Sequence, residues 1–206
     1  MLTIWGRANS SNVQKVLWCC GEIALPYERI DAGGPFGRTD GAEYRGLNPT
    51  GLVPTIVDGS YVLWESNAVV RYLATKHKAE AIFPTALERR FDIERWMDWA
   101  STGLWPTVRP VFFGMIRTPP EKRDAAAMAQ SHAVAERNFG ILDEELSRRR
   151  FIAGDAFTIA DIPLAIIAHR WLSLDMERAP RPHVERWYNS MKERPAFREH
   201  VDHPLS

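Results

Sequence analysis

Short blocks of apolar residues run through the first part of the chain, and their spacing switches between a strand-like and a helical period. Residues 2–5 form an apolar run that predicts a strand. The next apolar residues recur at three- and four-residue spacing, which predicts one face of a helix: Val13, Val16, Leu17 and Cys20. Residues 26–31 predict a second strand. The chain therefore begins with a β-α-β pattern.

A stretch without periodicity follows, and glycine and polar residues dominate it. Residues 32–46 are predicted as a loop with one helical turn. Residues 55–57 and 61–64 are then strand-like. Asp58-Gly59 lies between them, and these residue types can adopt the positive φ angles that a tight turn requires. This segment is therefore predicted to be a β-hairpin.

A helix from Ser66 to about His77 completes the first region, since apolar residues recur there at helical spacing. The order β-α-β-loop-β-β-α predicts an α/β domain with a mixed sheet over residues 1–78. Residues 79–85 lack periodicity and are interpreted as a linker. Residues 86–206 show no strand pattern, so the second domain is predicted to be all-α.

Four helices are predicted in this second domain, and prolines punctuate two of them. Their predicted bounds are residues 86–116, residues 121–149, a helix opening at the capping box Thr158-Ile159-Ala160-Asp161, and residues 183–194. Pro106 and Pro110 lack the N–H that an inner turn needs, so they are expected to bend or break the first helix. Pro195 is expected to end the last helix.

The composition fits a folded protein with an ample core, because 45% of the 206 residues are apolar. The formal net charge is zero, which argues against nucleic acid or a membrane surface bound through bulk charge. The N-terminal residues lack the pattern of a signal peptide, and the longest apolar run, residues 162–168, is too short to cross a bilayer. We therefore expect a cytoplasmic protein.

The only two cysteines are adjacent, at Cys19 and Cys20, which leaves no disulfide framework and fits a reducing compartment. Cys20 continues the apolar face of the first helix, so buried packing is its expected role. A redox pair is not expected, because adjacent cysteines close only a small strained ring. His169 and His183 have no partners at metal-ligand spacing, so no metal site is expected.

Four short motifs occur in order along the chain: Asn12-Val13-Gln14-Lys15-Val16, Asn48-Pro49 through Val53-Pro54, Glu65-Ser66, and Phe157-Thr158-Ile159-Ala160-Asp161. Together with the two domain types, this order resembles the cytosolic glutathione transferase family over nearly the whole chain, and the bacterial serine-type or beta-like members within it. The resemblance implies a thioredoxin-like N-terminal domain joined to an all-helical C-terminal domain. It also implies a transferase that uses glutathione as co-substrate, and a homodimer.

The resemblance assigns glutathione binding to two of these motifs. At Val53-Pro54 it implies a cis proline, with the backbone of Val53 bonding the cysteinyl amide of glutathione as an added strand would. The alternative is an ordinary turn proline before an edge strand. Glu65-Ser66 is expected to bind the γ-glutamyl end, with Ser66 as N-cap of the helix and the free N–H groups after it binding a carboxylate. Simple capping by Ser66 is compatible with that role.

The catalytic group must stabilise a thiolate, and a hydroxyl that donates a hydrogen bond to sulfur does so. No tyrosine precedes Tyr27, so a tyrosine-type site is excluded. The resemblance points to the start of the first helix, with Ser10 as the first candidate, Asn12 as the second and Ser11 as the third. The alternative is that one of these residues only caps the helix.

The second substrate, an apolar electrophile, is expected between the domains, against the long helix. Trp105, Arg109, Phe112 and Phe113 are the candidate walls of its site, although aromatic residues at helical spacing are as often part of a core. Two alternative functions remain open. One is a glutathione-dependent peroxidase or disulfide reductase using the same site, and the other is a non-catalytic relative that binds ligands or partners.

Overall fold

A computed structural model describes all 206 residues. The N-terminal region contains four strands: β1 (Leu2–Trp5), β2 (Tyr27–Ile30), β3 (Thr55–Asp58) and β4 (Tyr61–Trp64). It also contains three helices: α1 (Ser11–Glu22), α2 (Ala42–Leu47) and α3 (Ser66–Lys76). The predicted strands and both longer helices are therefore confirmed. The predicted loop 32–46 contains more regular structure than expected, because α2 and a 3₁₀ turn at Gly34–Phe36 lie within or beside it.

The sheet has the order β2-β1-β3-β4 and is mixed, as predicted. β1 pairs with β2 in parallel and with β3 antiparallel, so that Trp5 lies opposite both Ile30 and Thr55. β3 and β4 form the predicted antiparallel hairpin. Its turn is centred on Gly59 and Ser60, because Asp58 is still part of β3. Gly59 supplies the positive φ, at 64°.

The C-terminal region consists of helices: α4 (Leu87–Trp99), α5 (Trp105–Ile116), α6 (Ala125–Ser147), α7 (Asp161–Leu172), α8 (Pro182–Lys192) and α9 (Pro195–His200). The all-α prediction is confirmed, but the list of predicted helices lacked α9. Pro195 does end α8, and it also opens α9 as its first residue. Proline is suited to that position because the N–H it lacks would have no intrahelical partner there.

The prolines do not break the long helix, which corrects the expectation of a break. A π-helical segment, Ala100–Leu104, connects α4 to α5, and Pro110 lies inside α5. Two side chains bind carbonyls where the π segment meets α5. The side chain of Asn138 donates to the carbonyl of Gly103 (3.1 Å), and Thr107 donates to the carbonyl of Leu104 (2.7 Å).

α2 has a structural role beside Val53, which the loop prediction missed. Tyr44 of α2 is buried, and its hydroxyl donates to the carbonyl of Leu52 (2.6 Å) and lies 2.8 Å from the hydroxyl of Thr55. Asn48 donates to the same two groups, at 2.9 and 3.0 Å. These bonds hold the backbone on both sides of Val53-Pro54.

α1 is buried on every side, whereas its sequence predicted only one apolar face. All residues from Val13 to Cys20 are buried, because α1 packs against α3 in its own domain and against α7 and α9 of the helical domain. The ring of Trp18 lies 5.0 Å from the ring of Phe197 and 5.8 Å from that of Phe157. The helical domain therefore supplies the second wall around α1.

Asp161 organises the segment that leads into α7. Its buried carboxylate accepts hydrogen bonds from the backbone N–H groups of Ile152 (3.1 Å) and Thr158 (2.9 Å) and from the indole N–H of Trp187 (2.9 Å). Burial nevertheless raises the pKa of Asp161. The predicted capping box is half correct. The acid bonds back to Thr158 as expected, but the Thr158 hydroxyl also donates to that acid (3.3 Å) instead of accepting a helix N–H.

No helix is both long enough and apolar enough to cross a membrane.

We expect Asp161→Ala to lower the free energy of unfolding by about 3–5 kcal/mol, because it leaves four buried donors without this acceptor. Asp161→Asn keeps an acceptor oxygen and should lose less. The matched surface control is Asp155→Ala, at an exposed position, which should change stability by less than about 0.5 kcal/mol. Urea unfolding measures all three. Equal stability of the Asp161→Ala variant and the control would contradict a structural role for this acid.

Candidate active site

A cleft opens where the N-terminal ends of α1 and α3 approach the π segment and α5. It contains two adjoining cavities. The first, of about 490 Å³, includes Ser10 and Val53 in its wall and is called the Ser10 cavity. The second, of about 530 Å³, includes Glu65 and Ser66 in its wall and is called the Ser66 cavity. Both are lined by Ser11, Asn12 and Trp105.

The peptide bond between Val53 and Pro54 is cis, as the sequence predicted. No protein group hydrogen-bonds to the backbone N–H or C=O of Val53, so both remain available to a peptide lying beside it. Gly6 allows the close packing behind this segment. A Cβ at Gly6 would lie 2.4 Å from the side chain of Val13 and 3.3 Å from that of Val53.

The start of α3 differs from the prediction in one detail. Ser66 is the first residue of the helix and not its N-cap, a position occupied by Glu65 with a φ of 69°. The backbone N–H groups of Ser66, Asn67 and Ala68 have no partner in the protein, and all three residues line the Ser66 cavity. Free N–H groups at a helix N-terminus favour an anion, so the predicted carboxylate site remains chemically sound.

Lys15 also lines the Ser66 cavity, and the sequence analysis did not single it out as a site residue. Its ammonium donates to the Ser66 hydroxyl (3.3 Å), which in turn donates to the side-chain carbonyl of Asn12 (3.3 Å). Burial lowers the pKa of Lys15 to about 8, with Glu65 opposing this shift and Arg170 adding to it. The sequence signal that could have identified Lys15 is a lysine among the apolar residues of the first helix.

The three catalytic candidates occupy distinct environments at the start of α1. Ser10 is at the N-cap position, but its side chain makes no capping hydrogen bond, so the capping alternative does not account for it. Ser11 is the first residue of the helix. Asn12 is exposed and already bonded to Ser66 through its carbonyl. Ser10 and Ser11 therefore both contribute a hydroxyl without a protein partner to the wall of the Ser10 cavity, and Ser10 is the one at the N-cap position.

The four residues predicted for the second substrate share one face of α5 and all line the Ser10 cavity: Trp105, Arg109, Phe112 and Phe113. Phe112 is also part of the core, since it is only 1% exposed. The ring of Trp105 lies 6.2 Å from the ring of Phe112 and 6.4 Å from that of Phe113. Sequence reasoning missed three further arginines in the same wall, namely Arg7, Arg117 and Arg170.

Both cysteines are buried in α1, and packing of Cys20 in the core is confirmed. Burial raises the pKa of the Cys19 thiol and raises that of Cys20 to about 12, so neither thiol ionises near neutral pH. The structure contains no group of three or more His, Cys, Asp or Glu side chains that could hold a metal ion.

Comparison with known proteins explains this arrangement. Residues 9–76 match the glutathione S-transferase N-terminal domain, and residues 104–195 match the glutathione S-transferase C-terminal domain. The chain belongs to the glutathione S-transferase family. The predicted family, its two-domain fold, and a transferase enzyme with glutathione as co-substrate are thereby confirmed.

Relatives of this glutathione S-transferase match it over nearly its full length. It is 42% identical to glutathione S-transferase GstB of Escherichia coli, over 100% of both chains. It is 30% identical to glutathione S-transferase 3 of Zea mays, over 97% of this chain and 93% of that one. A crystal structure of a theta class glutathione S-transferase from Xanthomonas axonopodis pv. citri, with glutathione bound, superposes with a TM-score of 0.96 at 41% identity. It covers 100% of this chain and 99% of the other.

We expect Lys15→Met to stabilise this transferase while weakening its binding of S-methylglutathione about tenfold. The folded pKa, about 8, lies below the unfolded value of about 10.4, so the unfolded chain binds more protons between these values. Charged Lys15 therefore costs stability below about pH 8, and wild-type stability should rise between about pH 8 and 10.

At pH 7 the variant should gain about 1–3 kcal/mol in the free energy of unfolding and should lack this rise with pH. Chemical unfolding at several pH values and calorimetry with S-methylglutathione measure the two effects. Lys122→Met, at an exposed position, is the matched control. A less stable Lys15→Met variant would mean that Lys15 gains more from Ser66 and Glu65 than it loses by burial.

Proposed function

We propose that this transferase binds glutathione along Val53 and activates its thiol with the hydroxyl of Ser10. The backbone N–H and C=O of Val53 bond the cysteinyl residue. The γ-glutamyl carboxylate lies at the N-terminus of α3, beside Ser66 and Lys15. The observation that carries this proposal is the free Ser10 hydroxyl in the wall of the cavity that Val53 also lines.

A hydroxyl at this position accounts for activation of the thiol. A free thiol has a pKa of about 8.5, so only a few per cent is ionised at pH 7. Lowering that pKa by about 2 units requires about 2.7 kcal/mol. A charge-assisted hydrogen bond from Ser10, together with the positive N-terminal end of α1, is of that magnitude. The thiolate then attacks an electrophile held against Trp105 and Phe113, and positioning completes the catalysis.

The reductase or peroxidase alternative has less support than conjugation. It would need glutathione alone as the redox thiol, because Cys19 and Cys20 are buried and protonated. The non-catalytic alternative has less support again, since both the unpaired backbone of Val53 and the free helix start at Ser66 are intact. Only the reductase or peroxidase alternative would use the same glutathione site.

Purified protein should be retained on immobilised glutathione, eluted by free glutathione, and active with an aryl halide. Loss of retention would contradict both the transferase and the reductase proposals. Turnover of a mixed glutathione disulfide without conjugation would favour the reductase. Retention without either activity would favour the non-catalytic relative.

The assignment of Ser10 is tested by the same assay on three variants. Ser10→Ala should lower kcat/KM about 100-fold and raise the pKa of the bound thiol, because it removes the donor to sulfur. Ser11→Ala, one residue away, is the matched control and should stay within about threefold of wild type. Asn12→Ala should raise KM more than it lowers kcat. Full activity of Ser10→Ala would overturn the assignment.

We also propose a cytoplasmic homodimer. Exposed apolar side chains on α4 and on the edge strand β4 support self-association, with Leu87 68%, Phe91 60% and Tyr61 47% exposed. Phe91→Glu should convert the dimer to a monomer, because it buries a charge at such an interface. Light scattering measures this, with Arg137→Glu, exposed on α6, as the control. A monomeric wild type, or a dimeric Phe91→Glu variant, would contradict this interface.

A further inference from the structure

Four arginines line the Ser10 cavity: Arg7, Arg109, Arg117 and Arg170. No aspartate or glutamate lines it. The whole chain has a formal net charge of zero, so this concentration of positive charge is local to the cavity. A cavity for a purely apolar electrophile would gain nothing from four cations, which are costly to gather in one place.

Aromatic rings hold three of these arginines where carboxylates usually would. The guanidinium of Arg109 lies 4.8 Å from the centre of the Phe113 ring, and that of Arg117 lies 4.6 Å from the same centre. The guanidinium of Arg170 lies 5.4 Å from the centre of the Phe112 ring. Stacking on a ring orients a guanidinium without neutralising it.

No acidic side chain compensates the positive charge of the cluster. None of the four arginines forms an ion pair with an aspartate or a glutamate. Arg170 donates instead to the side chain of Gln14 (3.1 Å) and to the carbonyl of Asn9 (3.3 Å), and Arg117 donates to the main-chain oxygen of Ser206 (2.8 Å).

The pKa shifts of two of the arginines are consistent with positive charge gathered in the cavity. Burial, followed by the neighbouring Arg117 and Arg7, lowers the pKa of Arg170 to about 10. Burial and Arg7 also lower the pKa of Arg117. A bound anion would relieve this mutual repulsion.

The anion could come from glutathione itself, through its glycyl carboxylate, or from the second substrate. The proposed peptide pairing uses Val53 and the N-terminal domain. Three of the arginines belong to the helical domain, and Arg109 shares the face of α5 that carries Trp105 and Phe113. The cations therefore accompany the aromatic wall expected to contact the electrophile.

We infer that the second substrate is an electrophile with an apolar body and an acidic group, which the arginines bind while Trp105 and Phe113 contact the body. This inference rests on the proposed function, because it assigns a substrate class to the same site. With an aryl chloride, the glutathione thiolate forms the new C–S bond, chloride leaves with the electron pair of the C–Cl bond, and the thiol proton passes to solvent.

The test compares two electrophiles that differ mainly in charge, 4-chloro-3,5-dinitrobenzoate and 4-chloro-3,5-dinitrobenzamide. Each kcat/KM is divided by the rate of the uncatalysed reaction, which removes the difference in intrinsic reactivity. Wild type should favour the benzoate at least about tenfold. Arg109→Gln should reduce this preference about tenfold, and Arg109→Lys should retain part of it. Arg137→Gln, exposed on α6 and remote from both cavities, should leave the preference unchanged.

Calorimetry measures how tightly the protein binds the glutathione conjugates of the two electrophiles, and it requires no turnover. A failure of catalysis can therefore be distinguished from a failure of the inference. Tighter binding of the carboxylate conjugate supports the inference even if no electrophile reacts. The inference would be overturned if wild type showed the same normalised kcat/KM for both electrophiles and the same affinity for both conjugates. An Arg109→Gln variant with a raised KM for glutathione but an unchanged preference would also overturn it, by assigning the arginine to the glycyl carboxylate.

Discussion

Burial of α1 on all sides is the constraint on which the rest of the structure depends. A helix that is buried all round cannot be stable within a small sheet domain alone, because one of its faces would remain in water. The helical domain supplies the missing wall through α7 and α9, and the ion pair between Glu22 and Arg194 fixes one end of that contact. The two domains therefore share one core, and the start of α1 opens into the cleft between them.

This arrangement also explains why the site contains cations at depth. Lys15 is part of the buried helix and Arg170 lies beside it on α7, where a charge is costly unless a partner compensates it. Neither has a carboxylate within bonding distance, and each instead donates to a neutral side chain, Ser66 or Gln14. The protein thus carries desolvated positive charge towards two cavities, which is favourable only when anions complete the site.

Local pattern was enough to predict most of the fold and the positions of Val53-Pro54 and Glu65-Ser66, which we propose bind glutathione. Strand and helix periods, the hairpin at Gly59 and the motif at Val53-Pro54 all depend on neighbouring residues, so the sequence displays them directly. α9 was missed because Pro195 was interpreted only as an end, although proline also suits the first position of a helix. The role of Ser66 as N-cap was misplaced by one residue, a shift that boundary patterns do not resolve.

Three of the four arginines in the proposed electrophile site were not predicted, because the cluster is assembled from remote segments. Arg7 follows β1, Arg109 and Arg117 lie on or just after α5, and Arg170 is on α7. Nothing in their sequence spacing relates them, and zero net charge conceals their convergence. The helix continues through its prolines, and Asn138 donates to the carbonyl of Gly103 within the π segment. Had the helix broken there, as its prolines suggest, Trp105 and Arg109 would have no fixed relation to the glutathione site. The substrate preference that we propose therefore depends on the continuity of one helix as much as on the residues it carries.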